Sequence, residues 1–484
     1  MSSKPNIVYI LADDMGYGDI SCLNRDSRIA TQHLDRIGRE GMVFTDAHAS
    51  SAVCTPSRYS ILTGRYNWRS ALKKSVLFGY DKHLIEDGRL TVASMLKAQG
   101  YRTACIGKWH LGLDWAQDKA SADGVDYAQP IENGPTSFGF DYFFGISGSL
   151  DMPPYVYIEN DRVTAVPDRV TKNEGKKTFW REGPTGSDFR HEEVLPTFLS
   201  KATETIRQCQ DAPFFLYLPL PAPHTPILPT EPFQGASGTN EYGDFVLMCD
   251  HVVGEIARTL EECGIGENTI LIYTSDNGCS PRADFDELRA VGHNPNYIFR
   301  GHKADIYEGG HRIPLLIRWP DQIPAGRVSH ETVCLVDLFA TVADILDVDI
   351  PDNAAEDSIS NYAIWRGDSL GVPLRDATVH HSIDGSFSIR KGRWKLELCP
   401  GSGGWSDPKP GSEPADSPPY QLYDLHADVR EQHNLYLQYP EIAETLTQEL
   451  AQIVLSGRST PGVPQLNTDG NTGPQSGWLE AFQE

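Results

Sequence analysis

The chain has 484 residues, a formal net charge of −24 and ordinary fractions of apolar and charged residues. Its length suffices for a large core and for two domains. The acidic balance argues against a general nucleic-acid-binding protein, because such proteins need a basic surface to neutralise phosphates. If the substrate is an anion, positive charge must therefore be gathered locally at its binding site.

The first six residues, MSSKPN, lead directly into an apolar run and contain no hydrophobic leader. No run is long enough to span a membrane, so we expect no membrane partner. The protein is then cytoplasmic, or periplasmic or secreted if a leader has been removed. The nine cysteines are scattered and include no Cys-x-x-Cys pair, which favours reduced core residues over a disulfide framework or a zinc site.

Apolar runs rich in β-branched and aromatic residues alternate with helix-like segments through residues 1–374. This alternation predicts an α/β catalytic domain with a large, mostly parallel sheet covered by helices on both faces. The predicted strands are 6–11, 103–106, 214–220, 269–275 and 314–319. The predicted helices are 31–40, 90–99, 196–209, 242–263 and 335–346.

The stretch CTPSRYSILTGR, residues 54–65, is predicted to run from a loop into a further helix. Pro56 suits a first helical turn, and Thr55 is a candidate cap. Cys54 and Arg58 are four residues apart, so both would face an anion at the positive end of the helix. A buried structural thiol is the competing explanation. A thiol nucleophile of the tyrosine-phosphatase kind would need a longer, glycine-rich loop before the arginine.

Two regions have a different texture. Residues 114–190 show little periodicity and are predicted to be long loops over one face of the sheet, with a small hairpin at 155–165. Residues 375–484 are predicted to form a smaller α+β domain. It contains an antiparallel hairpin at 387–398 turning at Lys391-Gly392, a Gly/Pro/Ser-rich loop at 401–419 and a helix at 441–457.

Side chains able to do chemistry adjoin the ends of the predicted strands. Each alone could be a cap, a turn or a surface group. Because ligands bind outside the carboxyl ends of the strands in open α/β sheets, we expect these side chains to meet. Carboxylate and amide oxygens suit Ca²⁺ or Mg²⁺, lysines suit a tetrahedral oxyanion, and histidines can move protons. The residues are Asp13, Asp14, Lys108, His110, His224, Asp276, Asn277 and Lys303.

Several longer motifs extend this picture. NIVYILADDMGYGD, CTPSR…LTGR, GKWHLG, PHTP, YTSDNG and HKADIYEGGHRIPLLIRWP follow one another over roughly the first two-thirds of the chain, and YDLHADVREQHNL occupies 423–435. In these motifs and their order the chain resembles the type I sulfatase family of the alkaline-phosphatase-like superfamily. The resemblance implies that superfamily's fold and a sulfuric ester hydrolase.

The resemblance also implies a modified residue and a metal ion. In that family, a maturation enzyme oxidises the cysteine at the position of Cys54 to formylglycine, whose hydrate attacks sulfur. One Ca²⁺, with Mg²⁺ as the alternative, would be held by Asp13, Asp14, Asp276, Asn277 and the modified residue 54.

The same resemblance implies roles for the remaining motif residues. Arg58 would stabilise the nucleophile, and Lys108 and Lys303 would bind the sulfate oxygens. His224 would protonate the leaving alcohol, and His110 would take the proton whose removal lets sulfate leave.

The loop regions 114–190 and 380–419 are rich in groups that bind sugars, which favours an exo-acting carbohydrate sulfatase with galactose or N-acetylgalactosamine sulfates as the first candidates. A permissive pocket is the alternative for these loops. A phosphonate monoester hydrolase or phosphodiesterase on the same fold, and a non-catalytic sulfated-glycan binder with unmodified Cys54, are the rival functions. The expected substrate-binding residues are Asp151, Arg181, His381 and Asp384, within a group that also holds His191, His380 and Trp405.

Overall fold

The computed structural model of the protein describes residues 4–470 and 473–482. Its centre is a sheet of ten strands. In spatial order these are Arg327–Ser329, Met42–Phe44, Leu315–Arg318, Thr269–Ser275, Asn6–Asp13, Phe214–Pro223, Arg102–Lys108, Tyr142–Ile146, Ile158–Glu159 and Arg162–Val163. Within the two described ranges, no helix combines the length and the apolar character needed to cross a membrane.

The middle of this sheet is parallel and its edges are mixed. The five strands from Thr269–Ser275 to Tyr142–Ile146 are parallel neighbours. The strand Leu315–Arg318 instead runs antiparallel to Thr269–Ser275. The chain before Leu315 therefore lies at the same edge as the carboxyl ends of the parallel strands, which brings Lys303 to that edge.

Helices cover both faces, as predicted. The central strand alternates its side chains between two cores, with Ile7, Tyr9 and Leu11 on one face and Val8 and Ile10 on the other. The first face packs against Cys54–Thr63, Val92–Ala98 and Leu338–Ile345, and the second against Gln32–Glu40, Val194–Cys209 and Glu241–Glu262. Shorter helices are Phe285–Ala290, Glu308–His311 and Tyr362–Arg366. The predicted strands and helices are all present, with ends that differ by a few residues.

The region 114–190 is more regular than predicted. The hairpin near 155–165 is confirmed as Ile158–Glu159 with Arg162–Val163. The expectation of loops is wrong for Tyr142–Ile146, which joins the main sheet, and for the two-stranded ribbon Pro167–Asn173 with Trp180–Gly186. Tyr142–Ile146 is mostly buried, and the ribbon strand Pro167–Asn173 is mostly exposed. Neither strand therefore shows the alternation of apolar and polar residues that marks a half-buried strand in a sequence.

The C-terminal part forms a separate antiparallel sheet of four strands. They are Thr378–His381, Phe387–Lys391, Trp394–Glu397 and Gln421–Asp424, and the helix Pro440–Leu455 packs against them. The predicted hairpin is confirmed, with its turn at Gly392-Arg393, one residue later than expected. The division between residues 374 and 375 stays a prediction. The described cysteines include no disulfide.

A buried ionic cluster joins the two sheets. Lys395 of the small sheet lies 2.7 Å from Glu431, 3.2 Å from Glu397 and 3.2 Å from Glu308, which belongs to the main fold. All four side chains are inaccessible to solvent. Burial alone would lower the pKa of Lys395, but the surrounding carboxylates outweigh it and raise that pKa above its ordinary value. Lys395 therefore carries its charge in the interior.

Lys395→Ala should lower the free energy of unfolding by about 3–5 kcal/mol, because it leaves buried carboxylates without their cation. The midpoint of urea unfolding measures the loss. Lys391→Ala is the control, since exposed Lys391 pairs with Glu449 at the surface and its loss should cost about 0–1 kcal/mol. Equal midpoint shifts in the two variants would contradict this account.

Candidate active site

The helix Cys54–Thr63 begins at the carboxyl-end edge of the main sheet. Its cap position falls on Val53, whose backbone is extended, so the expectation that Thr55 caps the helix is wrong. Thr55 lies inside the first turn, and its hydroxyl accepts a hydrogen bond from the Leu77 N–H instead. The helix ends at Gly64, where the left-handed backbone (φ +66°) favours glycine. Cys54 is thus the first helical residue, and it is only 2% exposed.

The acidic residues predicted to meet do so at this edge. Asp13 ends one parallel strand and Asp14 directly follows it, and Asp276 and Asn277 follow the neighbouring strand. The Asp14 N–H donates to Asp276 Oδ1 (3.2 Å), and Asn277 Nδ2 donates to Asp14 Oδ1 (2.8 Å). All four side chains are buried. The adjacency of the two strands therefore places three carboxylates and an amide close together at this edge.

Three buried cations oppose these carboxylates. The pairs are Lys108 with Asp13 (2.5 Å), Arg58 with Asp276 (2.7 Å) and Lys303 with Asp14 (2.8 Å). Arg58 is held further by a hydrogen bond from Nη1 to the Lys108 carbonyl (2.8 Å). Ion pairing fixes the position of each cation beside Cys54.

The electrostatics around Cys54 do not activate a thiol. Burial raises the pKa of the Cys54 thiol well above its ordinary value, and the nearby Lys108 and Lys303 do not offset the effect. Burial also opposes ionisation of Asp13, but Lys108, His224 and Arg58 outweigh it and hold the pKa of Asp13 well below its usual range. The encoded cysteine is therefore protonated at neutral pH, and a protonated thiol is a poor nucleophile.

Two histidines lie beside these groups. His110 Nε2 donates to the Leu77 carbonyl, which leaves Nδ1 as an acceptor; Nδ1 is buried and has no hydrogen-bond partner among the described residues. Burial, with Lys108 and Arg58, lowers the pKa of His110 well below its ordinary value, so the imidazole is neutral. His224 donates from Nδ1 to the Thr225 carbonyl, and its Nε2 lies 3.7 Å from Asp14 Oδ2. Each imidazole therefore has one nitrogen fixed and the other free for proton transfer.

The carboxylate and amide oxygens at this edge fit a hard divalent cation, which prefers oxygen ligands. Ligand atoms of Asp13, Asp14, Cys54 and His224 lie within 4.8 Å of one another. Asn277 Oδ1, next to Asp14, is buried and has no hydrogen-bond partner in the part of the chain that the structure describes. A cation would satisfy this acceptor and offset the repulsion between the carboxylates.

A cavity of about 610 Å³ opens above this buried centre. Cys54, His110, His224 and Lys303 form its inner wall. Of the expected substrate-binding residues, Asp151 and Arg181 line it and are ion-paired with each other. Asp151 Oδ1 and Ser149 Oγ are buried without hydrogen-bond partners among residues 4–470 and 473–482.

The C-terminal part also reaches the cavity, through Trp405 and Ile383. The backbone N–H groups of Trp405 and Ser406 donate to Asp305 Oδ1 at 2.7 and 3.0 Å, which anchors the loop beside Lys303. Both predicted loop regions therefore border the cavity.

Two expected substrate-binding residues do not line it. His381 is buried, with Nδ1 3.1 Å from the side-chain amide of Asn67 and its ring packed against Phe387. Asp384 accepts hydrogen bonds from the Ser382 hydroxyl and the Ser386 N–H. The structure therefore does not bring either residue to the cavity lining, because successive residues of an extended chain and turn point in different directions. The other histidines of that group also lie elsewhere, with His191 stacked on Trp180 and His380 stacked on His311.

The cavity has further side chains that the sequence analysis missed. They are chiefly Phe78, Lys176, Phe179 and Arg282. Arg282 lies only a few residues after Asn277. It would have been included if the residues considered after each strand end had extended one turn further along the chain. Lys176 and Phe179 lie in the aperiodic region 114–190, where no sequence signal distinguishes them.

Comparison with known proteins adds an independent finding. A family model for sulfatases matches residues 5–348. An N-acetylgalactosamine-6-O-sulfatase from Bacteroides thetaiotaomicron is 34% identical over 93% of each sequence. An N-acetylgalactosamine-6-sulfatase from Canis lupus familiaris is 29% identical, covering 96% of this chain and 88% of that protein.

A solved structure shows the same likeness in three dimensions. The description of that structure concerns the metabolism of multiple glycosaminoglycans by Bacteroides thetaiotaomicron. Its superposition on this chain gives a TM-score of 0.82 at 33% sequence identity. The match covers 93% of this chain and 99% of that chain. The segment matched by the family model contains every residue of the buried centre, from Asp13 to Lys303.

Proposed function

The chain belongs to the sulfatase family, and from this premise we propose that it is an exo-acting carbohydrate sulfatase. The proposed substrate is a terminal sugar carrying a sulfate on its 6-oxygen, with N-acetylgalactosamine first and galactose second. The main structural support for this substrate is a pair of buried side-chain oxygens in the cavity wall, Asp151 Oδ1 and Ser149 Oγ, which have no hydrogen-bond partner among the described residues. Because leaving such groups unpaired is costly, a ligand with hydroxyl groups in matching positions is favoured. The similarity to N-acetylgalactosamine-6-sulfatases supports the same choice.

Two groups complete the site in this proposal. Cys54 is oxidised by a maturation enzyme to formylglycine, whose hydrate supplies one hydroxyl to attack sulfur and a second to expel sulfate. Asp13, Asp14, Asp276 and Asn277, with residue 54, would hold Ca²⁺ or alternatively Mg²⁺, and the ion would supply positive charge that favours an ionised oxygen. Burial, which raises the pKa of the encoded Cys54 thiol and disfavours a thiolate, supports the need for such a conversion.

The buried cations bind and orient the sulfate group. Lys108 and Lys303 hold its oxygens and offset the negative charge that develops as the S–O bond breaks. Arg58, fixed between Asp276 and the Lys108 carbonyl, stabilises the negative charge at residue 54. Because these groups are already held in place, little reorganisation is needed when substrate enters.

The two histidines handle the protons. His224 lines the cavity with its Nδ1 fixed, so Nε2 can deliver a proton to the departing sugar oxygen. The neutral His110 can accept a proton at Nδ1 and so assist the release of sulfate. Each histidine acts through the nitrogen that the protein leaves unoccupied.

A substrate panel with one variant tests the proposal. The enzyme should release sulfate from N-acetylgalactosamine 6-sulfate or galactose 6-sulfate at least about tenfold faster than from N-acetylglucosamine 6-sulfate, since each unmatched hydrogen bond costs about 1–3 kcal/mol. Asp151→Ala should remove most of the sugar-sulfate activity and leave hydrolysis of a small aryl sulfate largely unchanged. Sulfate release measured by ion chromatography gives kcat/KM for each substrate.

Asp384→Ala is the control variant, since Asp384 does not line the cavity, and it should leave both activities unchanged. If Asp151→Ala lowers kcat/KM equally and only slightly for sugar sulfates and aryl sulfates, the enzyme is instead a sulfatase with a permissive pocket. Faster turnover of aryl phosphate or phosphonate monoesters than of any sulfate ester would overturn the proposed function.

A further inference from the structure

The cavity gathers positive charge in a strongly acidic protein. The chain has a net charge of −24, yet the cavity lining holds four cationic side chains and a single acidic one, Asp151. Lys303 is buried in the inner wall. The other three cations, Lys176, Arg181 and Arg282, are exposed and form an outer cluster at its open end.

Two members of the outer cluster already have carboxylate partners. Arg181 is paired with Asp151, and Lys176 is paired with Asp284. Arg282 differs, because within residues 4–470 and 473–482 no carboxylate forms an ion pair with it. Its charge is therefore the uncompensated one at the mouth of the cavity.

Arg282 is nevertheless held in position. Its guanidinium carbon lies 5.3 Å from the centroid of the Phe179 ring, and its Nη1 donates to the Lys176 carbonyl at 3.3 Å. The guanidinium of Arg181 lies 5.6 Å from the same ring. Phe179 thus organises two guanidinium groups through cation–π contacts, and positioning before binding lowers the ordering cost that a ligand must meet.

We infer that Arg282, with Phe179 and Lys176, forms a second anion-binding subsite for a carboxylate or a second sulfate on the sugar next to the one that is desulfated. This inference rests on the proposed function and narrows its substrate to a polyanionic oligosaccharide. The reacting sulfate does not occupy this subsite, because buried Lys108 and Lys303 beside Cys54 bind it. A planar guanidinium pairs with carboxylate or sulfate oxygens through two parallel hydrogen bonds, which suits both candidate anions.

Binding to the inactive Cys54→Ala protein provides the test, since it does not depend on turnover. Three disaccharides are compared by titration calorimetry, each with a terminal 6-sulfated N-acetylgalactosamine. The neighbouring sugar is a hexuronic acid, a sulfated hexose or a neutral hexose. The double variant Cys54→Ala/Arg282→Ala should bind at least one anionic disaccharide about tenfold or more weakly than Cys54→Ala does. Its affinity for the neutral disaccharide should be unchanged. The disaccharide that loses affinity shows whether the subsite binds a carboxylate or a sulfate. The difference in affinity caused by Arg282→Ala should become smaller as salt is added.

Arg289→Ala is the matched control. Arg289 is an exposed arginine in the helix Phe285–Ala290, it pairs with Asp286, and it does not line the cavity. Equal weakening of charged and neutral ligands by Arg282→Ala, no weakening, or no binding of any of the three would overturn the inference. Failure of the proposed function has a different signature, in which unsubstituted enzyme releases no sulfate from these disaccharides although the calorimetric difference persists.

Discussion

Cys54→Ala should abolish hydrolysis of sulfate esters, with a loss on the order of 10⁴-fold or more in kcat, as for removal of a catalytic nucleophile. The variant should keep its fold and its affinity for substrate, because Lys108, Lys303 and Arg58 remain in their ion pairs. Cys54→Ser should also be inactive where the maturation enzyme does not convert serine, since a single hydroxyl cannot both attack sulfur and expel sulfate.

Mass spectrometry of the peptide spanning residues 50–60 accompanies the kinetics. In active protein, residue 54 should be the aldehyde or its hydrate. The peptide should then have the mass calculated for the aldehyde or hydrate side chain and not the mass calculated for cysteine. Cys22→Ala is the control, because Cys22 is an exposed thiol outside the cavity, and it should retain full activity. Near-normal turnover by Cys54→Ala, or full activity of protein whose Cys54 thiol is intact, would refute the formylglycine proposal.

Removal of divalent cations should have a comparably large effect. The purified enzyme should contain about one Ca²⁺ or Mg²⁺ per chain, because the buried carboxylates of Asp13, Asp14 and Asp276 and the Asn277 Oδ1, which is unpartnered among the described residues, form a set of oxygen donors that suits such a cation. Chelation should abolish turnover, and added Ca²⁺ or Mg²⁺ should restore it. Asp13→Ala should be inactive and should lose the bound metal.

Two measurements besides activity bear on the metal. Elemental analysis gives the metal content, and the thermal unfolding midpoint should rise when the cation is returned, since a ligand at about 100 times its Kd adds about 2.7 kcal/mol of stability. Asp211→Ala is the control, because Asp211 is an exposed carboxylate paired with Arg102 at the surface. Full activity of metal-free protein after exhaustive chelation would contradict the proposal.

Much of the buried centre could be predicted from the sequence because of how parallel strands are arranged. Buried strands such as Asn6–Asp13 are recognisable as apolar runs, and their carboxyl ends must share one edge of the sheet. Residues directly after such runs, including Asp13, Asp276 and Lys108, were therefore expected to meet. Here local order along the chain is enough, since each of these side chains lies at or directly after the end of a strand whose position the fold class dictates.

The direction and number of strands could not be predicted in the same way. Leu315–Arg318 is antiparallel to its neighbour, and Tyr142–Ile146 completes the parallel set. Pairing partners far apart in sequence decide both, and mostly buried strands show no alternation that reveals their direction. The antiparallel strand is what carries Lys303 to the site.

The sequence by itself determined the sulfatase family, the α/β class and the residues of the buried centre, because these depend on motifs adjoining recognisable strands. The tertiary structure alone decided which loop residues reach the cavity. It brought Asp151, Arg181 and Arg282 to the lining and left His381 and Asp384 outside it. The reason is physical: long loops take their positions from contacts with distant segments, such as Trp405 with Asp305, and side-chain direction there changes from one residue to the next.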